Sequence, residues 1–423
     1  MTTTTHPTSD TTTTAGPCHG SGAERFARLR ERLTPVFERI AAGAATREAD
    51  RHLDRDAVRA LVDAGYTAAR VPVEFGGSGL DFVQASALLV DLGAADSNLA
   101  QALRAHLLHL EGVLTSPASP QRDRWLRRIG EGAVVGNAIT EVGNAVGTSG
   151  TRLTRDAAGT LRLNGTKFYS TGSLYADWIM VSAVDEAGEE IAVTVRADAP
   201  GVRLLDDWDG FGQQLTASGT TAFEDVAVDP EEVSQRPLDN GASVVGGQAI
   251  AQWVHLGTLA GIGQAVVRDA VQYVRSRTRS FSHGAGELPR EDPQVLQVVG
   301  EVSAGAFGAR AAFDAVLPLL AGLLDREAAG ERVGVEIPEA ELNEVYVRVY
   351  QAQQVIAQQV LEIASAWFEV GGASAVSGTR RLDRHWRNAR VLANHNPLIY
   401  RARILGDWEV NAVPPSRHYR VGG

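Results

Sequence analysis

Arg387-Asn388-Ala389-Arg390-Val391-Leu392-Ala393-Asn394-His395-Asn396-Pro397 closes a long run of helical pattern that follows the pair Gly371-Gly372. The first half, Arg387 to Ala393, reads as helix. Pro397 disfavours α geometry at Asn396, so the helix ends or bends there. A titratable ring and an amide, His395 and Asn396, are therefore expected at a helix end, where backbone groups lack intrahelical partners. Taken alone, the stretch reads more simply as a surface helix terminus with an incidental histidine. The rest of the chain decides otherwise.

Upstream, helical patterns run roughly over 245–280, 292–326 and 338–370, with a last piece over 382–410. Long helices joined by short loops make a four-helix bundle. Before them the texture differs. Leu161-Arg162-Leu163-Asn164-Gly165 alternates and turns. Trp178 to Ala183 and Ile191 to Val195 are apolar, strand-like runs, and Val202-Arg203-Leu204 and Thr220-Thr221-Ala222-Phe223 add more. Earlier still, Phe26, Leu29, Leu33, Val36, Phe37 and Ile40 recur at helix spacing, and one helical pattern is read to Gly65. Gly76, Gly77 and Gly79 mark a tight loop. Asp81 and Ser97 are expected N-caps, and a further helix spans about 121–130. The expected domains are a disordered tail over 1–22, a helical domain over 23–132, a β-barrel-like domain over 133–238 and a helical bundle over 239–423.

The chain has 423 residues, 44% of them hydrophobic, and a net charge of -11. That is ample for a large core. An acidic chain is a poor candidate for nucleic acid or an anionic membrane. The lone Cys18 excludes a cysteine metal cluster and an intrachain disulfide, and no metal site is expected. The threonine-rich N-terminus lacks the basic region and apolar core of a signal peptide. No apolar run is read as long enough to cross a membrane. A cytoplasmic protein is expected.

Four segments resemble the acyl-CoA dehydrogenase superfamily: VPVEFGGSGL (71–80), NAITEVGN (137–144), NGTKFYSTGSLYAD (164–177) and the GG with RNAR (371–372 and 387–390). Each is weak alone, but together they follow the family's order and spacing. The resemblance implies an α+β fold with a flavin held between the β domain and the bundle. It places Thr140 and Thr171 against the flavin, Thr171 on a strand beside the ring.

The chain departs from the family where a dehydrogenase keeps its carboxylate base. Asn396 stands at the usual glutamate, and no Asp or Glu occurs between Asp239 and Asp269, the alternative position. An amide cannot abstract a proton. RNARVLANHNP instead resembles the flavin-dependent monooxygenase branch of the family, and YVRSRTRSFSHG (273–284) adds to the likeness. That branch implies reduced FMN, delivered by a separate NAD(P)H-dependent flavin reductase, and a C4a-hydroperoxyflavin that oxygenates a small sulfur, nitrogen or aromatic substrate. By the same resemblance, His395, Asn137, Thr171 and His106 are catalytic candidates, with His109 competing for the place of His106. Arg279 with Arg277 is expected on the FMN phosphate, helped by Ser282 and His283. Gly371, Gly372 and Ser374 are expected to reach it from a neighbouring subunit of a homotetramer, and Asn396 to border the flavin. The competing readings are an FAD-dependent acyl-CoA dehydrogenase with a displaced base and a silent flavin-binding scaffold.

Overall fold

The computed structural model of the chain describes residues 20–142, 150–234 and 247–417. The expected tail (apart from its last few residues), Cys18 and the expected boundary at 238 lie outside them. Helix α1 (Gly22–Ala49) begins at a capping box in which Ser21 and Glu24 satisfy each other's backbone N–H groups. Its Leu29, Leu33, Val36, Phe37 and Ile40 are buried at the expected spacing. The single helical run read to Gly65 is two helices. Arg51 turns the chain with a φ of 49°, and Asp54 caps α2 (Arg55–Asp63). Asp81 caps α3 (Phe82–Ala95) as expected. The next cap is Asp96, whose carboxylate accepts from Asn98 N at 2.9 Å; Ser97 is instead the first residue of α4 (Ser97–Ala102). Helices α5 (Arg104–Thr115) and α6 (Pro120–Gly130) complete this part.

The middle of the chain forms one eight-stranded sheet. The strands are β1 (Val135–Ala138), β2 (Arg152–Arg155), β3 (Leu161–Lys167), β4 (Trp178–Val184), β5 (Glu190–Arg196), β6 (Val202–Leu204), β7 (Thr221–Val228) and β8 (Val233–Ser234). Their order is β6-β7-β3-β2-β4-β5-β8, with β1 parallel to β4 as a branch. No pairing among the described residues joins β6 to β8. One face buries Leu163, Ile179, Val181, Val193 and Phe223. Buried Lys167 at the end of β3 meets Glu141 at 2.6 Å, which fixes the chain beyond β1 to the sheet. Burial disfavours the Glu141 charge, but bonds from Lys167, Gly150 and Thr151 outweigh it and hold its pKa down at about 2.

The bundle is built on α7 (Gly247–Ser276), α8 (Pro293–Ala328) and α9 (Glu339–Ala366). The last expected helix is broken into α10 (Arg384–Asn394) and α11 (Leu398–Asn411), with the break at His395-Asn396-Pro397. Residues 247–263 of α7 are buried on every side, the mark of a core helix. It crosses α3 so closely that a Cβ at Gly261 would meet Ala94 N at 2.6 Å. By length and composition α7 and α8 are each apolar enough to span a membrane, contrary to the sequence reading. The apolar stretch of α7 is 89% buried by its own protein, that of α8 only 39%. Leu296, Phe307 and Leu319 of α8 are exposed.

Candidate active site

A cavity of about 420 Å³ opens where the α4–α5 turn, the sheet, the start of α7 and the end of α10 meet. The sheet supplies Asn137 from β1 and Thr171 from the turn after β3. That turn is tight: Tyr169 has a φ of 57° and Thr171 N donates to Tyr169 O at 2.8 Å. Gly172 follows with a φ of 80°, and a Cβ there would meet Ala102 O at 2.3 Å. Only glycine lets the turn approach α4 so closely. Thr171 therefore sits on a turn and not on the expected strand. Its hydroxyl lies 3.0 Å from that of Ser218, which lies 2.8 Å from that of Thr216. Thr216 donates to Gln213 O at 2.9 Å, so the three hydroxyls form one oriented relay.

The bundle supplies the opposite wall. His395 caps α10, and its Nδ1 lies 2.8 Å from Asn396 Oδ1. Gln252 Nε2 donates to the same oxygen at 3.2 Å. That oxygen is thus an acceptor, His395 Nδ1 carries the hydrogen, and Nε2 is left to accept. The ring borders the open cavity, so part of it is exposed, while protein surrounds it at longer range. That enclosure, then the charge of Arg104, pushes its pKa down to about 4, against the hydrogen bond to Asn396. His255 stands behind it, 2% exposed, and burial, then His395 and Arg104, hold its pKa well below the usual value. Both rings are neutral at pH 7.

The RNAR segment positions the walls. Asn388 Oδ1 accepts from Gln213 N at 2.6 Å, and its amide donates to buried Glu48 at 3.2 Å. Arg387 pairs with Glu48 and donates to Phe211 O at 2.9 Å. Asn98 accepts from Leu215 N at 3.1 Å. The loop carrying Gln213, Thr216 and Ser218 is thereby tied to both helical parts.

The structure brings His395, Asn396, Asn137, Thr140 and Thr171 together around this cavity. His106 is not among them. It is fully buried behind β1, with Nε2 2.9 Å from Thr67 O and Nδ1 accepting from Val135 N at 3.3 Å. Both ring nitrogens are used by backbone, so it props the sheet against α5. His109 does not reach the cavity either; it packs edge-on to Trp125. Arg277, Gly371 and Ser374 gather at the far end of α7. Arg277 donates to Val370 O at 2.8 Å and Gly371 O at 3.2 Å, and Tyr273 bonds Ser374 at 2.7 Å. Gly372 faces the Phe281 ring, and Arg279, Ser282 and His283 are exposed beside them. From Gln252 to Ser276 along α7 is roughly 36 Å at 1.5 Å per residue. The two groups of residues cannot share one small ligand within one chain.

Gln101, Arg104, Gln213, Ser218, Gln248 and Gln252 also line the cavity, and the sequence reading missed them. Gln248, Gln252 and His255 are spaced i, i+4, i+7 on an otherwise apolar helix, a pattern visible in the sequence. The buried Gln101 Oε1, Arg104 Nε, Asn137 Oδ1, Gln213 Oε1 and Gln248 Nε2 have no hydrogen-bond partner. Buried polar atoms are nearly always paired. The open acceptors among them, Gln101 Oε1, Asn137 Oδ1 and Gln213 Oε1, fit a flat heteroaromatic ring that carries N–H groups.

The acyl-CoA dehydrogenase N-terminal, middle and C-terminal domain families match residues 28–133, 137–226 and 254–398, together well over half of the chain. The chain belongs to the acyl-CoA dehydrogenase family. Within that family it is similar to the dibenzothiophene monooxygenase of Mycolicibacterium goodii, 29% identical over 96% of this chain and 98% of the relative. It is also similar to a probable FMNH2-dependent monooxygenase, SfnC, of Pseudomonas putida, 27% identical over 86% of this chain and 89% of the relative. Among solved structures it resembles FMN-bound TdsC from Paenibacillus sp. A11-2, with a TM-score of 0.83 and 26% identity over 93% of this chain and all of that one. Against the family's dehydrogenase chemistry stands one observation: no Asp or Glu lines the cavity among the described residues.

Proposed function

We propose that this chain is a two-component flavin-dependent monooxygenase that takes reduced FMN from a separate NAD(P)H-dependent reductase and oxygenates a small organic substrate. The observation that carries the reading is the cavity lining, rich in amides, hydroxyls and an imidazole but without the carboxylate that dehydrogenation requires. The similar proteins named for FMN and for monooxygenation support it.

Bound reduced FMN supplies the two electrons with which O2 is divided between substrate and water. This chain's residues do the rest. Thr171, oriented by Ser218, and Asn137 bond the ring from the sheet side. His395 faces it from the bundle, with Nε2 free to take a proton and Nδ1–H fixed on Asn396. A neutral imidazole suits proton traffic here, because a charged one would repel Arg104. Tyr169 and Trp208, 5.8 Å apart at the mouth, limit water entry.

The phosphate end is the proposed task of Arg279 and Arg277 with Gly371, Gly372 and Ser374. Since these lie at the far end of α7, they serve the cavity of a neighbouring chain. A homotetramer built as a dimer of dimers meets that need and covers the exposed Leu296, Phe307 and Leu319. The reading puts the enzyme in the cytoplasm, where NAD(P)H is regenerated.

The test is reconstitution. The protein, a flavin reductase, NAD(P)H and FMN are mixed with thioether, sulfinate and aromatic substrates, and oxygen incorporation is followed by mass spectrometry. Bleaching of bound flavin by an acyl-CoA without oxygen, together with no oxygenated product, would overturn the reading.

A further inference from the structure

Arg104 is 5% exposed, lines the cavity and makes no side-chain hydrogen bond or ion pair among the described residues. It is unlike other buried cations of this protein. Arg47 meets Asp96 at 2.8 Å, Lys167 meets Glu141 at 2.6 Å, and Arg384 meets Asp269 at 2.6 Å. A buried charge left without a partner is costly, so proteins pair such charges or expose them to a ligand. Beside the open acceptors of Gln101, Asn137 and Gln213, two further donors near Arg104 are open. Gln248 Nε2 has no partner. Gln101 Nε2 lies 3.3 Å from His255 Nε2, which leaves Nδ1 of His255 as the hydrogen-bearing and unpartnered nitrogen.

Resting on the oxygenase reading, we propose that this floor of the cavity binds an anionic head group of the substrate, a carboxylate, sulfinate or sulfonate, on the Arg104 guanidinium. A planar fork of N–H donors matches the oxygens of such groups. The charge also has an internal witness. Arg104 and His395 line the same cavity, so an anchored substrate can extend past His395, and the charge of Arg104 helps to depress both His255 and His395. Burial pushes the Arg104 pKa down to about 10, which keeps it charged at neutral pH. The expected substrate is then a small molecule with an anion at one end and the oxidisable atom at the other, in contrast to an uncharged polycycle.

Binding without turnover tests this apart from the oxygenase reading. Flavin-free protein is titrated calorimetrically with benzoate and with benzamide, its neutral counterpart. Wild type is expected to bind benzoate at least about tenfold more tightly. Arg104→Gln should weaken benzoate by roughly 10- to 100-fold, the usual size of a lost charge-assisted pair, and leave benzamide unchanged. Arg104→Lys, which keeps the charge, should retain the preference even if Arg104→Gln folds poorly in melting curves. The same variants are then titrated with oxidised and, without oxygen, reduced FMN. If Arg104→Gln weakens only reduced FMN and spares benzoate, Arg104 balances the reduced ring and the proposal falls. It falls equally if wild type binds the two probes alike or binds no benzoate.

Discussion

The imidazole rings of His255 and His395 lie 4.1 Å apart, centroid to centroid, and tilted by 49°. Two rings so close, with Arg104 nearby, disfavour a second, charging proton on either. The pair is a reservoir of neutral imidazole at the reactive wall, held so by burial and by a fixed positive charge.

His395→Ala is expected to fold and to bind FMN, since Asn396 and Gln252 keep their mutual bond. Oxygenated product should fall by roughly two to four powers of ten, the usual size of a lost acid–base group. Oxygen consumption should continue with H2O2 in place of product. Peroxide and product assays run side by side give the answer, and unchanged coupling would reduce His395 to a helix end.

Stability should decline on acidification from about pH 6.5 toward pH 4. His255 and His385 have folded pKa values below the unfolded value, burial being the main cause in each, and that of His385 is about 4. Between the two values the unfolded chain binds protons that the folded chain refuses, so the stability present above pH 6.5 is lost as pH falls. Each such ring adds a slope of up to about 1.4 kcal/mol per pH unit. Thermal melts across this range should be shallower for His255→Gln than for wild type.

Asn388→Ala removes the acceptor of Gln213 N and one donor to Glu48. Leaving these buried groups unpaired should cost about 1–3 kcal/mol, seen as a lower melting temperature. The loop that holds Thr216 and Ser218 loses one of its two ties to α10, the bond from Arg387 to Phe211 O remaining, so FMN binding should weaken while the bundle stays intact. A melting temperature and an FMN affinity equal to wild type would show that the loop is held elsewhere.

Arg279→Ala should weaken FMN by roughly tenfold or more, the effect of one lost charge-assisted contact. The arginine is exposed in a single chain, so the loss should appear without any change in melting temperature. Light scattering of the variant should still report the proposed tetramer. A stable monomer that binds FMN as wild type would refute the shared site.

The broad order of helices, strands and bundle was legible because apolar spacing changes period at each transition. The break at Pro397 was legible because proline's ring acts locally, whatever surrounds it. The positions of His106 and His109 were not. A histidine on a buried helix reads alike whether it faces a cavity or a backbone carbonyl, and the partners of His106, Thr67 and Val135, are remote in sequence. The turn at Thr171 was read as strand because its reversal depends on Tyr169 and Gly172 adopting left-handed geometry against α4. Arg104 escaped notice because only the fold reveals that no carboxylate meets it.

The length of α7 has a genetic consequence. On the proposed assembly each chain lends its ring cavity to one active centre and its phosphate arginines to another. Two impaired variants, His395→Ala and, at low FMN concentration, Arg279→Ala, therefore need not stay impaired when they assemble together. In a mixed pair one centre collects both lesions and the other collects none. Co-expressing the two alleles should restore activity at the intact centres when FMN is limiting, something that two lesions within one self-contained site never do.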